Sequence, residues 1–396
     1  MELSFETGAL LLLIASVVAM LTRRLRLPYS AGLVAAGMGL AVLPFAPAVQ
    51  LTKDLLFNAL LPPLIFEAAF HLDWKQLRRD LPVVLGLATL GVVLSAAVTA
   101  AGMFYLAHWD WLSCAVFGIL IAATDPVSVI ATFREAGAHG RLMVLVESEA
   151  LFNDGTAAVA FAAALLFASG HPPTAIHALA TLGATVIGGL MCGALVACGA
   201  LALAGRTEDH LVEISFTTVA AYGSFLLAEQ FHLSGVLATL AAGLLMANYR
   251  SLGEISPRGK EAVEAFWEYA AFLANSLVFL LIGMRGVHVH VLAIWFSAAA
   301  AILLVTLGRA AAIYPCCALF AWSGRRVSAR HQHILFWGGL RGALALALAL
   351  GLPPEIPMRD QIVAISFAVV AFSVFVQGMT MTPLLRFVGE IPRPRV

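Results

Sequence analysis

The chain is 396 residues long, 61% hydrophobic and only 12% charged, with 23 basic and 23 acidic residues that cancel to a net charge of zero. Soluble domains carry about 25% charged residues. With a mean hydropathy of +0.93, this chain has too little polar surface to fold in water and needs a bilayer as its solvent. No basic run has the density or the interleaved aromatics of a nucleic-acid surface. The five cysteines, Cys114, Cys192, Cys198, Cys316 and Cys317, fall in or beside apolar stretches without CxxC spacing, and read as small packing residues. No cofactor is expected, because no glycine-rich phosphate loop follows a strand.

A spanning helix needs about 20 mostly apolar residues. Dividing the chain at its charged, proline and glycine punctuation predicts thirteen such segments, at roughly 7–22, 28–44, 53–70, 82–107, 112–133, 142–169, 174–204, 210–229, 232–249, 263–284, 289–320, 331–351 and 361–387. The first has acidic residues before it and Arg23 and Arg24 after it, the reverse of a cleavable signal peptide, so it is expected to be retained. The eighth and ninth are parted only around Glu229 and His232. Basic residues test the count independently: of the 23, 18 fall on one set of alternate connections, 3 on the other, and 2, Arg309 and Arg341, inside segments eleven and twelve. By the positive-inside rule this bias predicts a multi-pass protein of the cell membrane, N-terminus outside and C-terminus in the cytoplasm.

Thirteen divides as two sets of six around one linker, and an odd linker sets the two halves opposite ways round in the membrane, as in inverted-repeat transporters. Helix-breaking residues recur at matching places, Thr124-Asp125-Pro126 in segment five and Gly338-Gly339-Leu340-Arg341-Gly342 in segment twelve. Broken helices in corresponding positions point to a binding site. The expected fold is therefore all-α and polytopic: 13 transmembrane helices, two inverted six-helix repeats joined by a linker helix, with helices 5 and 12 broken. About ten residues follow the last segment, so no soluble C-terminal domain is expected.

Asn153 and Asp154 sit in the middle of segment six, and Asp125 sits within segment five. An ionised carboxylate in hydrocarbon is costly, so a chain keeps one there to pair it, protonate it or load it with a cation. At a rise of about 1.5 Å per residue, Asp154 lies about 20 Å in from Arg141 and Asp125 about as far in from the opposite face, with Arg341 about 15 Å deep. A buried carboxyl beside another resists ionisation, which lets a proton and a metal cation compete for it near neutral pH. The aspartates, the Thr124 hydroxyl, the Asn153 amide oxygen and unwound carbonyls are all oxygen ligands, suited to a hard alkali cation. A plainer reading makes the aspartates structural ion pairs or caps of broken helices. Asp125, beside Pro126, suits a cap and can serve in both ways.

Together with Leu61-Pro62-Pro63-Leu64-Ile65-Phe66-Glu67 and Glu147-Ser148-Glu149-Ala150-Leu151-Phe152-Asn153-Asp154-Gly155, these motifs resemble the sodium/proton antiporters of the NhaP and eukaryotic sodium/proton exchanger branch, over all thirteen segments. The resemblance implies an NhaA-like antiporter fold in which Asp154 alternately holds a proton or Na+, with Asn153 before it and Thr124, Asp125 and Glu67 completing the site. It also implies a structural ion pair between Glu149 and Arg341, for which Arg309 is the alternative partner. A core bundle, about 82–169 and 289–387, is expected to shift like an elevator against dimerisation helices, about 7–70 and 174–284, within a homodimer. One departure is Ala150, where the family usually carries serine; it leaves the preference among Na+, Li+ and K+ open. Glu147, two turns toward the cytoplasm from Asp154, either lines a funnel to the site or pairs with a loop arginine such as Arg134 or Arg141.

The implied activity is electroneutral exchange of one Na+ (or Li+) for one H+, and not enzymatic. A K+/H+ antiporter on the same fold is the alternative. A cation channel would need a continuous polar path, whereas the segments are apolar on both sides of the aspartates. An intramembrane enzyme would need a zinc or serine-hydrolase spacing that these residues lack.

Overall fold

The computed structural model describes residues 5–25, 27–43, 52, 54–125, 130, 133, 140–168, 175–248, 256–286 and 295–391. The described residues form fourteen helices: α1 (Phe5–Leu25), α2 (Tyr29–Ala41), α3 (Leu55–His71), α4 (Trp74–Ala107), α5 (Trp111–Leu120), α6 (Arg141–Ala168), α7 (Ala175–Ala204), α8 (His210–Gln230), α9 (Gly235–Asn248), α10 (Pro257–Gly286), α11 (Trp295–Leu319), α12 (Ala329–Trp337), α13 (Ala343–Leu350) and α14 (Arg359–Val388). Among the described residues, eight of them (α1, α4, α6, α7, α8, α10, α11 and α14) are long and apolar enough to cross a membrane. The chain is thus a helical, multi-pass membrane protein, with α2, α3, α5 and α9 as shorter apolar helices. Pro126 and Arg134 lie outside the described residues.

The narrow division between segments eight and nine is a real turn. His232 takes a left-handed conformation (φ 57°), and the Glu229 carboxylate accepts the first free N–H of α9, from Gly235, at 3.1 Å. The polar pair that marks the boundary in the sequence therefore also builds it, by satisfying a helix N-terminus that hydrocarbon would leave bare.

By contacts the chain divides into two compact units, residues 1–53, 80–153 and 276–396 in the first and 54–79 and 154–275 in the second. In the first unit α4 and α11 lie close enough that a Cβ on Gly308 would press on the Ser95 carbonyl and one on Gly118 of α5 would press on the Ala96 carbonyl. Lipid supplies no hydrophobic drive between helices, so this small-residue approach is what holds them. The N-terminal end of α6 is tied down by charge: Arg141 donates to Asp80 of α4 at 2.7–3.1 Å and to the carbonyls of Arg325 and Arg326 at 2.7 and 2.8 Å. Ser113 of α5 donates to the Pro357 carbonyl at 2.7 Å.

The second unit packs by the same means. Gly189 and Gly193 of α7 bear on the backbone of Ser234 and Ala238, and Gly243 of α9 bears on Phe66 and Ala69 of α3. Trp267 of α10 fills the centre, its ring 4.5 Å from that of Phe66, and donates its indole N–H to Thr217 at 2.9 Å. Glu213 caps the start of α10 by accepting from the Ser256 N–H and hydroxyl at 2.8 and 3.0 Å.

The packing gives a stability test. At Gly193 a side chain would meet backbone atoms of Ala238, which cannot swing away, whereas at Gly183 nothing lies within 4 Å. Overpacking of this kind costs about 1–3 kcal/mol, so Gly193→Val should lower the thermal midpoint of the purified protein by several degrees. Gly183→Val, on the same helix, should leave it nearly unchanged.

Candidate functional site

The site is built where two helices stop short. α5 ends at Leu120, and after a turn the chain runs non-helically through Ala123, Thr124 and Asp125. α12 ends at Trp337 and α13 starts at Ala343, leaving 338–342 as a non-helical strap, as the glycines of the sequence motif predict. The two stretches bond to each other. The Asp125 N–H donates to the Leu340 carbonyl at 2.7 Å, and Arg341 donates through Nη1 to the Ala122 and Ala123 carbonyls at 2.6 and 3.0 Å.

A helix that ends in hydrocarbon exposes unsatisfied carbonyls at the negative end of its dipole. Arg341 supplies a positive charge past the end of α5 and donors for the carbonyls of the non-helical residues that follow it. Arg309, from α11, does the same for α12, donating through Nε and Nη2 to the Leu335 carbonyl at 3.2 and 2.8 Å. Both side chains are buried, 1% and 6% exposed respectively. The motif's glycines make room for this arrangement: a Cβ on Gly339 would overlap the Arg309 guanidinium, and one on Gly342 would overlap the Asp125 side chain.

Here the structure corrects one expectation. Glu149 pairs with Arg309, not with Arg341, in a bidentate bridge with Nη1–Oε1 at 2.7 Å and Nη2–Oε2 at 2.9 Å. The cause is local: Gly339 lets the Arg309 guanidinium lie between α6 and α12, while Arg341 is drawn to the carbonyls at the end of α5. Two parallel charge-assisted bonds are the strongest geometry available to such a pair.

One turn on from Glu149, Asn153 knits α6 to the non-helical end of segment five. Its Nδ2 donates to Glu149 Oε1 at 3.2 Å, to Thr124 Oγ1 at 3.2 Å and to the Ala122 carbonyl at 3.3 Å. A carbonyl and a carboxylate can only accept, so chemistry fixes which way the amide points. Its Oδ1 is then left with no hydrogen-bond partner among the described residues, on a side chain only 2% exposed. A buried oxygen in that condition is costly and is the kind of ligand a hard cation takes.

The first unit therefore brings together Thr124, Asn153, Glu149, Arg309 and Arg341, with Asp125 held by its backbone and half-buried. Asp154, 7% exposed, follows Asn153 directly on α6 and is the first α6 residue of the second unit. Glu67 also belongs to the second unit, one turn before the end of α3, with His71 Nδ1 3.4 Å from its carboxylate. Glu147 is buried on α6, and Arg141, one of its two suggested partners, is engaged by Asp80. Ala150 is buried as well, so no serine hydroxyl is offered at that position. Sequence reasoning passed over Ser373 and Gln377, which lie buried in α14. The signal available for them was a lone glutamine in a long apolar run.

A family model described as sodium/hydrogen exchanger, transmembrane, matches residues 10–387. Among similar proteins, the Na(+)/H(+) antiporter ApNhaP of Aphanothece halophytica is 38% identical over 92% of this chain and 70% of its own length. NhaG of Bacillus atrophaeus, also named a Na(+)/H(+) antiporter, is 36% identical over 97% of this chain and 75% of its own. Among solved structures, the sodium proton antiporter MjNhaP1 of Methanocaldococcus jannaschii superposes with a TM-score of 0.74 over 96% of this chain and 98% of that one; at 19% identity this is a likeness of fold. With a match across nearly its whole length and relatives at that identity, the chain belongs to the transmembrane sodium/hydrogen exchanger family.

Proposed function

We infer that this protein is a secondary active transporter that exchanges one Na+ (or Li+) for one H+ across the cell membrane. Family membership and the Na(+)/H(+) antiporter names of the relatives support the exchange itself. The observation that carries the site assignment is the Asn153-Asp154 pair in the buried middle of α6, with Asn153 Oδ1 left as an unpartnered oxygen among the described residues.

In this reading Asp154 holds either a proton or the metal ion, and Asn153, Thr124, Asp125 and Glu67 are the oxygen donors that the family resemblance implies. Both loaded forms of the site carry the same charge and can cross an apolar barrier, whereas the empty ionised form cannot do so cheaply. That difference couples the two fluxes and makes the exchange electroneutral. The Glu149–Arg309 pair stays formed throughout and takes no part in transport.

The finer architecture follows the same reading: thirteen spans, two inverted six-helix repeats, N-terminus outside, C-terminus in the cytoplasm, and a homodimer. The arginine-gripped breaks in support of it fall one in each predicted half, after α5 and after α12. An elevator-like shift of the bundle at about 82–169 and 289–387 is part of the same reading; in support, hydrogen bonds tie α6, α11, the end of segment five and the 338–342 strap to one another.

Three outcomes test the proposal. Asp154→Asn should abolish sodium-driven proton movement in proteoliposomes while the protein still purifies with a wild-type thermal midpoint; continued exchange in that variant would remove Asp154 from its role. With wild-type protein, sodium and lithium gradients should drive proton flux at a rate insensitive to a clamped voltage. A flux driven by potassium alone would move the assignment to a K+/H+ antiporter, and a voltage-dependent rate would contradict one-for-one exchange. Finally, leaving a buried charge uncompensated costs about 3–5 kcal/mol, so Glu149→Ala should destabilise the protein far more than Asp154→Asn. The double variant Glu149→Leu with Arg309→Met should recover part of the loss, and only part, since α12 also loses its carbonyl donor.

A further inference from the structure

α14 contains a π-helical turn, Ser373–Gly378, in an otherwise apolar run. Such turns add a residue to the helix, re-aim the side chains that follow, and cluster at functional sites. Here the turn buries two polar side chains, Ser373 and Gln377. The Ser373 hydroxyl donates to Gln377 Oε1 at 2.9 Å. Neither residue belongs to the cation site described above.

Both side chains line a small cavity whose other walls include Thr306 and Arg309 of α11 and Arg341 of the strap. The space is of a size for a single water. Two polar side chains of the wall are engaged elsewhere. Arg309 is committed to Glu149 and Leu335, and Thr306 donates to the Ile302 carbonyl at 2.8 Å. Arg341 is engaged only in part: its Nη1 serves the Ala122 and Ala123 carbonyls, while its Nε is buried with no hydrogen-bond partner among the described residues. A guanidinium N–H in that condition is costly in hydrocarbon, and the oxygens of Gln377 and Ser373 still have lone pairs to accept with.

We propose that this cavity holds one ordered water, which accepts from Arg341 Nε and donates to the Gln377–Ser373 pair, and that Gln377 is thereby a positioning residue for cation binding. A water fits the wall because it can do both jobs. A halide is larger and cannot donate to an oxygen. The consequence passes along a short chain of named contacts: the water fixes the Arg341 guanidinium, Arg341 fixes the Ala122 and Ala123 carbonyls, and those residues lead directly into Thr124 and Asp125. Gln377 touches no transported ion, so its effect belongs in affinity more than in turnover. This positioning role rests on the antiport reading, whereas the water does not.

The test pairs high-resolution density with flux measurements on the full chain. Wild type should show one water within hydrogen-bond distance of Arg341 Nε and Gln377, and Gln377→Met, which keeps the length and removes the polar atoms, should lose it. In proteoliposomes the same variant should raise the sodium KM about threefold to tenfold, the worth of a hydrogen bond, with the maximal rate held within about twofold. If Gln377→Met does not fold, Ser373→Ala carries the same two readouts, with a smaller rise in KM. A dry cavity, a protein group on Arg341 Nε, or density that becomes anomalous in bromide would overturn the water. An unchanged KM, or a fall in maximal rate alone, would overturn the positioning role. A wild type that exchanges no ions would instead defeat the antiport reading and leave the density arm standing.

Discussion

Everything at the centre of this protein depends on how it satisfies helix ends that stop inside the apolar interior. A carbonyl with no donor costs several kcal/mol in hydrocarbon, and two interrupted helices bring several such groups with them. Each is held by a buried arginine, Arg341 at the end of α5 and Arg309 at the end of α12. A guanidinium suits this task better than a lysine would. It offers five donors in a fixed plane, and so satisfies backbone and carboxylate together. Arg309 does both at once, with Leu335 on one side and Glu149 on the other.

That arrangement orders the rest of the cluster. Once Arg309 fixes Glu149, the amide of Asn153 has an acceptor one turn away on its own helix and two more, Ala122 and Thr124, where segment five loses its helix. α6 is thereby stitched to the non-helical stretch through a neutral side chain. Farther along, the Arg141–Asp80 clamp fixes the start of α6 to α4 and to the loop before α12. A long helix secured at its end and at its middle can present the residue after Asn153 in a defined rotation, and that residue is Asp154.

Much of this was legible in the sequence, for reasons that differ from residue to residue. The broken helices were readable because helix-breaking residues stand beside a charge at matching places, Asp125-Pro126 in segment five and Gly338-Gly339-Leu340-Arg341-Gly342 in segment twelve, whereas glycines elsewhere serve helix packing. The buried carboxylates were readable because charge in such a run is expensive. The partner of Glu149 was not, since two arginines of segments eleven and twelve stood at similar depth and the choice between them turned on the room left by Gly339. Spacing along a helix says which face a side chain lies on. It does not say which of two neighbouring helices will lend a partner. The place of Gln377 was hidden for a related reason: its polarity stood out in an apolar run, but a π-helical turn re-aims it, and no residue type announces such a turn.

The identity of residue 153 follows from the same contacts. Its Nδ2 faces a carboxylate oxygen and a carbonyl oxygen, neither of which can donate. An ionised aspartate in its place would set two negative groups against each other at i and i+4 and turn an acceptor toward Ala122, so it would have to carry a proton to fit. Glu149 therefore selects a neutral amide at this position through its bond to Arg309. Residue 153 cannot ionise, so of the Asn153-Asp154 pair only Asp154 can carry a charge, and the proposed exchange draws on that difference.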